Sequence, residues 1–288
     1  MVNPLETIIL TLAYHHVFNF PLTEFEVYKY SPHELNTHEI LPQNDVAICK
    51  KGTLLGLSTW DDHKITSIRD LSWERISYAQ RLFSLVSHKL PTIEFVGVTG
   101  STAALNARKD SDIDIFIITK NNAGWITRLV LLLLLTIIGK RTNTNKNNNA
   151  STFCTNMIIE SSDLLFKNQD LFTAMELAHM KPIINNNYYY EKLLYGNAWV
   201  SKFLPNFWKL KTQEWSNPNK SIDNFSKTPL HLSTLNKFAG YIQRFKYRLK
   251  NKTNLTLSQT WVIDHRAVIL KSYKKILNEL NIKDTRLR

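Results

Sequence analysis

Long apolar runs are nearly missing from this chain of 288 residues. The most lipid-like segment, WITRLVLLLLLTIIGKR, is continuously greasy only from about Leu129 to Ile138. That is about half of the ~20 residues a spanning helix requires, so it reads as a buried helix without stable membrane insertion. MVNPLETIILTLAYHHVF has an early acid, Glu6, and no small-residue cleavage site after it, so no signal peptide is expected. Cysteine is scarce too. Cys49 and Cys154 are the only two, which excludes a disulfide framework and fits a reducing compartment, here taken as the cytoplasm. No glycine-rich loop leads into Gly-Lys-Ser/Thr, which excludes a P-loop ATPase, and no Gly-x-Ser-x-Gly elbow occurs. In HELNTH, His33 and His38 are five apart, so they miss the common helical face a zincin needs. Internal repeats are absent.

What remains describes an ordered protein with room for two or three domains, at 43% hydrophobic and 21% charged residues. Acid is outnumbered by base, giving a formal charge of +12 and a pI near 9.5. Polyanions are therefore natural partners: nucleotides, nucleic acid or acidic lipid. The plain alternative is a solvated basic surface.

Residues 1–72 read as a winged-helix-like module. One helix lies in LETIILTLAYHHVF, a second follows Thr23 with Glu26 closing a capping box, and SPHELNTHEILP offers a short third. A hairpin is expected around Lys51-Gly52. WERISYAQRLFSLVSHKL, from Trp73, predicts an amphipathic helix opening a central domain over 73–168. Arg141 to Thr152 is polar and of low complexity, the composition of a loop, and residues 169–288 read as a helical C-terminal region. Within that region, Tyr241, Phe245 and Leu249 form the expected buried stripe of a basic helix bearing Arg244 and Arg248.

The chemistry concentrates in FVGVTGSTAALNARKDSDIDIFIITK. TIEFVGVTG and SDIDIFIITK both read as strands. Alternation puts Asp112, Asp114 and Phe116 on one face and Ile113, Ile115 and Ile117 on the other. The two carboxylates would lie roughly 7 Å apart along the strand. Anions so close repel unless a cation joins them or one is protonated. Oxygen ligands of this kind favour Mg2+ or Mn2+, which also bind substrate phosphates. Gly100 permits a tight turn, and Ser101 with the following amides offers donors for a phosphate.

A strand, Gly-Ser, a gap of about ten residues and Asp-x-Asp in an apolar strand resemble the DNA polymerase β-type nucleotidyltransferase superfamily. The resemblance extends over about residues 93–160. It implies an α/β (α+β) nucleotidyltransferase core with a short mixed sheet, between the winged-helix-like module and the helical region. It also implies that Gly100 and Ser101 hold the nucleotide's phosphates and that Asp112 and Asp114 are catalytic and bind Mg2+ or Mn2+. A third carboxylate is expected on a later strand. In FCTNMIIE, Cys154, Asn156, Ile158 and Glu160 share one face by alternation, so either Asn156 or Glu160 meets the site, and Glu160 is the acid of the two.

Other groups are ambiguous. Glu176 and His179 could face the nucleotide together, although pairing on a helix surface is the simpler expectation. Arg108, Lys109 and Arg128 are phosphate candidates, and Asp110 suits a turn. The implied activity is Mg-dependent transfer of a nucleoside monophosphate from an NTP, ATP foremost, to an unidentified hydroxyl on a protein, RNA or small molecule. The alternative is an inactive nucleotidyltransferase fold that serves as a nucleic-acid-binding or regulatory module.

Overall fold

A computed structural model of the protein describes residues 3–36, 47–142, 152–214, 229–249 and 265–287. Helix α1 (Pro4–His16) starts where Asn3 accepts a hydrogen bond from the Leu5 N–H, with proline in its first turn. β1 (Leu22–Thr23) runs into α2 (Glu24–Tyr30), whose capping box is complete: Thr23 accepts from the Glu26 N–H and Glu26 accepts from the Thr23 N–H. β2 (Cys49–Lys51) and β3 (Leu54–Gly56) form the expected hairpin, with Gly52 at φ +57° in its turn. These strands make a small antiparallel sheet in the order β1-β3-β2. Of the segment expected to hold a third helix, residues 31–36 are not helical and the remainder lies outside the described residues.

α3 (Asp62–Lys89) begins at Asp62 rather than at Trp73, because Asp61 caps the N–H groups of His63 and Lys64. It therefore runs straight across position 72, where the sequence suggested a boundary. β4 (Ile93–Thr99), α4 (Gly100–Ala103), β5 (Ile113–Thr119), α5 (Gly124–Ile137), β6 (Phe153–Glu160), α6 (Leu171–His179) and β7 (Lys181–Asn185) follow. The second sheet is mixed, in the order β6-β5-β4-β7, with only β5 and β6 parallel. Its edge strand β7 lies in the region read as helical. The segment is short, and Lys181-Pro182 gives it little strand character. α7 (Tyr189–Gly196), α8 (Pro205–Glu214), α9 (Leu230–Leu249) and α10 (Arg266–Glu279) complete the chain. No helix among the described residues is long and apolar enough to cross a membrane.

The four-stranded sheet is buried on both faces. Ile113, Ile115 and Ile117 pack with Phe83 and Val86 of α3 and with Leu131 and Leu135 of α5. Phe116 and Ile118 pack on the other face with Phe95, Met157, Leu177 and Leu193. One irregularity matters for everything below. β6 pairs Thr155 with Ile115 but Met157 with Phe116, so Asn156 forms a bulge. Beyond it the alternation is reversed, and Met157 and Ile159 take the face that simple parity gave to Ile158 and Glu160.

Helix α9 departs from expectation in a second way. Tyr241, Phe245 and Leu249 are exposed, and the buried positions are Asn236, Ala239, Gly240 and Gln243. The helix docks on α5 through small and polar groups. Gly240 lies against Trp125, Asn236 Oδ1 accepts from the Ile126 N–H, and Arg128 donates to Gln243. Arg128 is thereby turned to a structural task.

Helices α1 and α6 meet through two buried histidines. His15 Nδ1 donates to the Thr11 carbonyl at 2.9 Å, so its Nε2 must accept, at 3.3 Å, from His179 Nε2–H. Burial lowers the pKa of both rings. His15 itself, Lys181 and Lys29 lower that of His179 further, and the Arg69 charge adds to the lowering at His15 while Glu26 opposes it. The two rings thus bind fewer protons in the folded protein than in the unfolded chain below the free imidazole's pKa of about 6.5. Their contribution to stability should be intact above about pH 6.5 and be lost as pH drops toward about 5, while the buried carboxyls of Asp114 and Glu176, raised by burial, act with the opposite sign. Thermal midpoints across this range check it. The midpoint of the double variant His15→Phe/His179→Leu should gain on that of the natural protein as pH drops from about 6.5 to about 5, and a difference that does not change with pH would contradict the assignment.

Candidate active site

The site lies where β4 ends and β5 and β6 begin. Thr99 is paired directly with Asp114, and Asp114 with Cys154. Directly paired residues point to the same face, so a hydroxyl, a carboxylate and a thiol form one row across three strands. Asp112 stands just before β5. The ligand atoms of Asp112, Asp114 and Cys154 all lie within 4.8 Å of one another. Thr142 donates to Asp112 Oδ2 at 3.0 Å.

Burial decides the electrostatics. It pushes the Asp114 carboxyl up to about 8, helped by the charges of Asp112 and Glu176, while a hydrogen bond from the Cys154 thiol works the other way. Burial likewise pushes Cys154 up, reinforced by both aspartates. Glu176 reaches in from α6, accepts from the Gly100 N–H, and is raised by burial to about 7. The Thr99 hydroxyl is fully buried and has no hydrogen-bond partner among the described residues. Crowded acids beside an unused buried hydroxyl fit a cation, which would relieve the repulsion and use the spare oxygen.

Gly100 is required twice over. Its φ is +64°, and a Cβ there would overlap Asp114 Oδ2. Ser101 follows in the first turn of α4. The loop before Asp112 is fastened from beneath by Arg75 of α3, which is buried and donates to Ser111 Oγ at 2.9 Å and to the Lys109 carbonyl at 3.0 Å. Arg108 and Asp110 face each other in solvent at 3.7 Å, a turn pair rather than site ligands.

The structure brings Gly100, Asp112 and Asp114 together but takes Glu160 away. Glu160 is paired with Thr119, five residues beyond Asp114 on β5 and on the other face. That is about 16 Å along the strand. Its carboxylate accepts from the N–H groups of Asn122 and Gly124 at 2.9 and 3.0 Å, capping the start of α5. The bulge at Asn156 is the reason parity failed, and Cys154 is the β6 residue at the site. Glu176 also differs from the surface pairing anticipated with His179: one points to Gly100 and the other into the core. Sequence reasoning missed Arg75 and Thr99 altogether. A lone arginine on the apolar stripe of α3 was the available signal for the first.

Residues 81–171 match the family model described as Polymerase beta, Nucleotidyltransferase. This segment, from within α3 to the start of α6, is a nucleotidyltransferase domain of the DNA polymerase β-type superfamily. The same kind of comparison with curated proteins and with solved structures gives no match.

Glu160→Gln should cost about 1 kcal/mol of stability, as expected for a weakened helix-start cap, and leave nucleotide binding unchanged. Denaturant unfolding and calorimetric titration measure the two effects. Loss of nucleotide binding with stability intact would return Glu160 to the site. Gly100→Ala, by contrast, should abolish binding because the turn and Asp114 cannot both keep their places.

Proposed function

We propose that the protein transfers a nucleoside monophosphate from an NTP, ATP being the first candidate, to a hydroxyl acceptor in a reaction dependent on a divalent cation. The observation that carries this reading is the pairing of Asp112 and Asp114 with the Gly100 turn inside the matched domain. Asp112 and Asp114 would hold the cation, with Mg2+ or Mn2+ accompanying the nucleotide's phosphates. A bound dication supplies neutralisation of the triphosphate and of the pyrophosphate that leaves.

The chain's own groups would do the rest. The Ser101 hydroxyl and the amides after it would grip the terminal phosphates, whereas the Gly100 N–H is engaged by Glu176. The acceptor oxygen would attack the α-phosphorus as the bond to pyrophosphate breaks. Its proton would pass to Glu176, the third carboxylate of the site, whose pKa of about 7 suits a base near neutrality. Arg75 would act only by positioning, through the loop that carries Asp112.

A cleft of about 460 Å³ lies between the N-terminal residues and Asn106 and Arg108 of the segment joining Ser101 to Asp112, and a part of the acceptor remote from its reacting hydroxyl would rest there. Phe18, Trp60, Lys64, Asn106 and Arg108 line it, a mixture suited to a planar or anionic group on a protein, an RNA end or a small molecule. A reducing compartment such as the cytoplasm would keep the site thiol free.

A second reading has its own observation. No carboxylate stands on β6 beside Asp114, and the chain carries a formal charge of +12. An inactive domain whose winged-helix-like module binds nucleic acid would show salt-dependent DNA binding that survives loss of the aspartates.

Calorimetric titration with each NTP in magnesium separates these readings. One NTP should bind, and Asp112→Asn/Asp114→Asn should weaken it by at least about 100-fold, or about 2.7 kcal/mol. Failure of every NTP to bind would overturn the transferase reading.

A further inference from the structure

The third ligand position of the site holds sulfur where oxygen was expected. Cys154 is the direct cross-strand partner of Asp114, and its sulfur lies within 4.8 Å of carboxylate oxygens of both Asp114 and Asp112. Direct pairing before the bulge puts Cys154 on the face of Asp114, and the bulge at Asn156 turns every later side chain of β6 out of parity with it. A second observation points to a ligand independently. The Thr99 hydroxyl, fully buried and unpartnered among the described residues, belongs to the same row on the opposite side of Asp114.

We infer that Asp112, Asp114 and Cys154 form a three-ligand seat for a thiophilic divalent ion of the zinc class, distinct in preference from the magnesium that accompanies a nucleotide. This rests on the transferase reading only for what the ion is used for, not for its binding.

The chemistry follows from the donor set. Magnesium takes oxygen ligands in near-ideal octahedra and gains little from sulfur, whereas thiolate selects zinc and its neighbours. Three protein ligands with one open position is the pattern of catalytic rather than structural zinc sites. Metal–oxygen bonds of about 2.0–2.2 Å and a metal–sulfur bond of about 2.3 Å place tetrahedral ligand atoms about 3.3–3.7 Å apart. The three groups therefore need to draw together by at most about 1.5 Å. Binding forms the metal–sulfur and metal–carboxylate bonds and releases to water the thiol proton and any proton held by Asp114, with no change of oxidation state. The Thr99 hydroxyl can donate to a carboxylate oxygen of Asp114 once that oxygen is freed from the thiol's hydrogen bond. The open position is where a substrate oxygen would enter.

Cobalt(II) is the probe, because a cobalt–thiolate bond produces an intense near-ultraviolet charge-transfer band that carboxylates cannot produce. The full chain, stripped with a chelator, is titrated with cobalt chloride without nucleotide. One equivalent should develop the band. Zinc at about one equivalent should bleach it, and magnesium in about 1,000-fold excess should not. Cys49 is the one other cysteine. Cys49→Ser should keep the band, while Cys154→Ser should lose it and weaken cobalt binding by about 10–100-fold. Cys154→Asp, should serine disturb the fold, should bind magnesium more tightly than the natural protein and show no band.

Absence of the band at saturating cobalt, its survival in Cys154→Ser, or its removal by magnesium at the concentration effective for zinc would each overturn the inference. The two readings fail separately. Nucleotide binding without the band leaves a transferase with an oxygen-only site, and the band without nucleotide binding leaves a thiophilic ion site on a protein that is not a transferase.

Discussion

The mutual repulsion of carboxylates drawn out of water at one end of a buried sheet is the constraint on which the rest of this structure depends. Asp114 sits in a strand whose other residues are all fully buried, with Asp112 and Glu176 close enough to raise its pKa. A fold gains nothing in stability from such an arrangement without a cation or a proton to offset it. The surrounding devices keep the arrangement in place. Gly100 gives the close approach that a side chain would block, Arg75 fastens the loop that delivers Asp112, and α6 brings Glu176 to the Gly100 amide.

The rigidity needed for this comes from two cores on either side of one sheet. The isoleucine face of β5 is covered by α3 and α5, and the opposite face by α6 and α7. Helix α3 is the common beam. It begins in contact with the N-terminal module, where Arg69 holds Glu26 of α2 at 2.8 Å, and ends beneath the sheet. The histidine pair joins α1 of that module to α6. The N-terminal helix is thereby joined to the helix that carries Glu176.

Much of this was legible in the sequence, for identifiable reasons. Asp114 could be placed because alternation in a regular strand leaves no choice of face, Asp112 because it lies two residues before it at the strand's entrance, and the capping box at Thr23 because it is a local hydrogen-bond pattern. Glu160 was misplaced because a single bulged residue reverses parity, and nothing in FCTNMIIE announces a bulge. The stripe on α9 was misjudged because hydrophobicity was taken to mean burial, whereas close helix packing selected Gly240, Asn236 and Gln243. β7 went unseen because five residues with a proline carry almost no periodic signal. Arg75 acts through tertiary contacts alone.

The central claim is that one cation is seated between Asp112, Asp114 and Cys154. Crystals grown with cobalt and a non-hydrolysable NTP analogue, measured at the cobalt absorption edge, test it most directly. The account predicts an anomalous peak about 2.0–2.3 Å from a carboxylate oxygen of each aspartate and from the Cys154 sulfur. An analogue bound with its metal elsewhere, while the two aspartates remain joined only to neighbouring side chains, would contradict it.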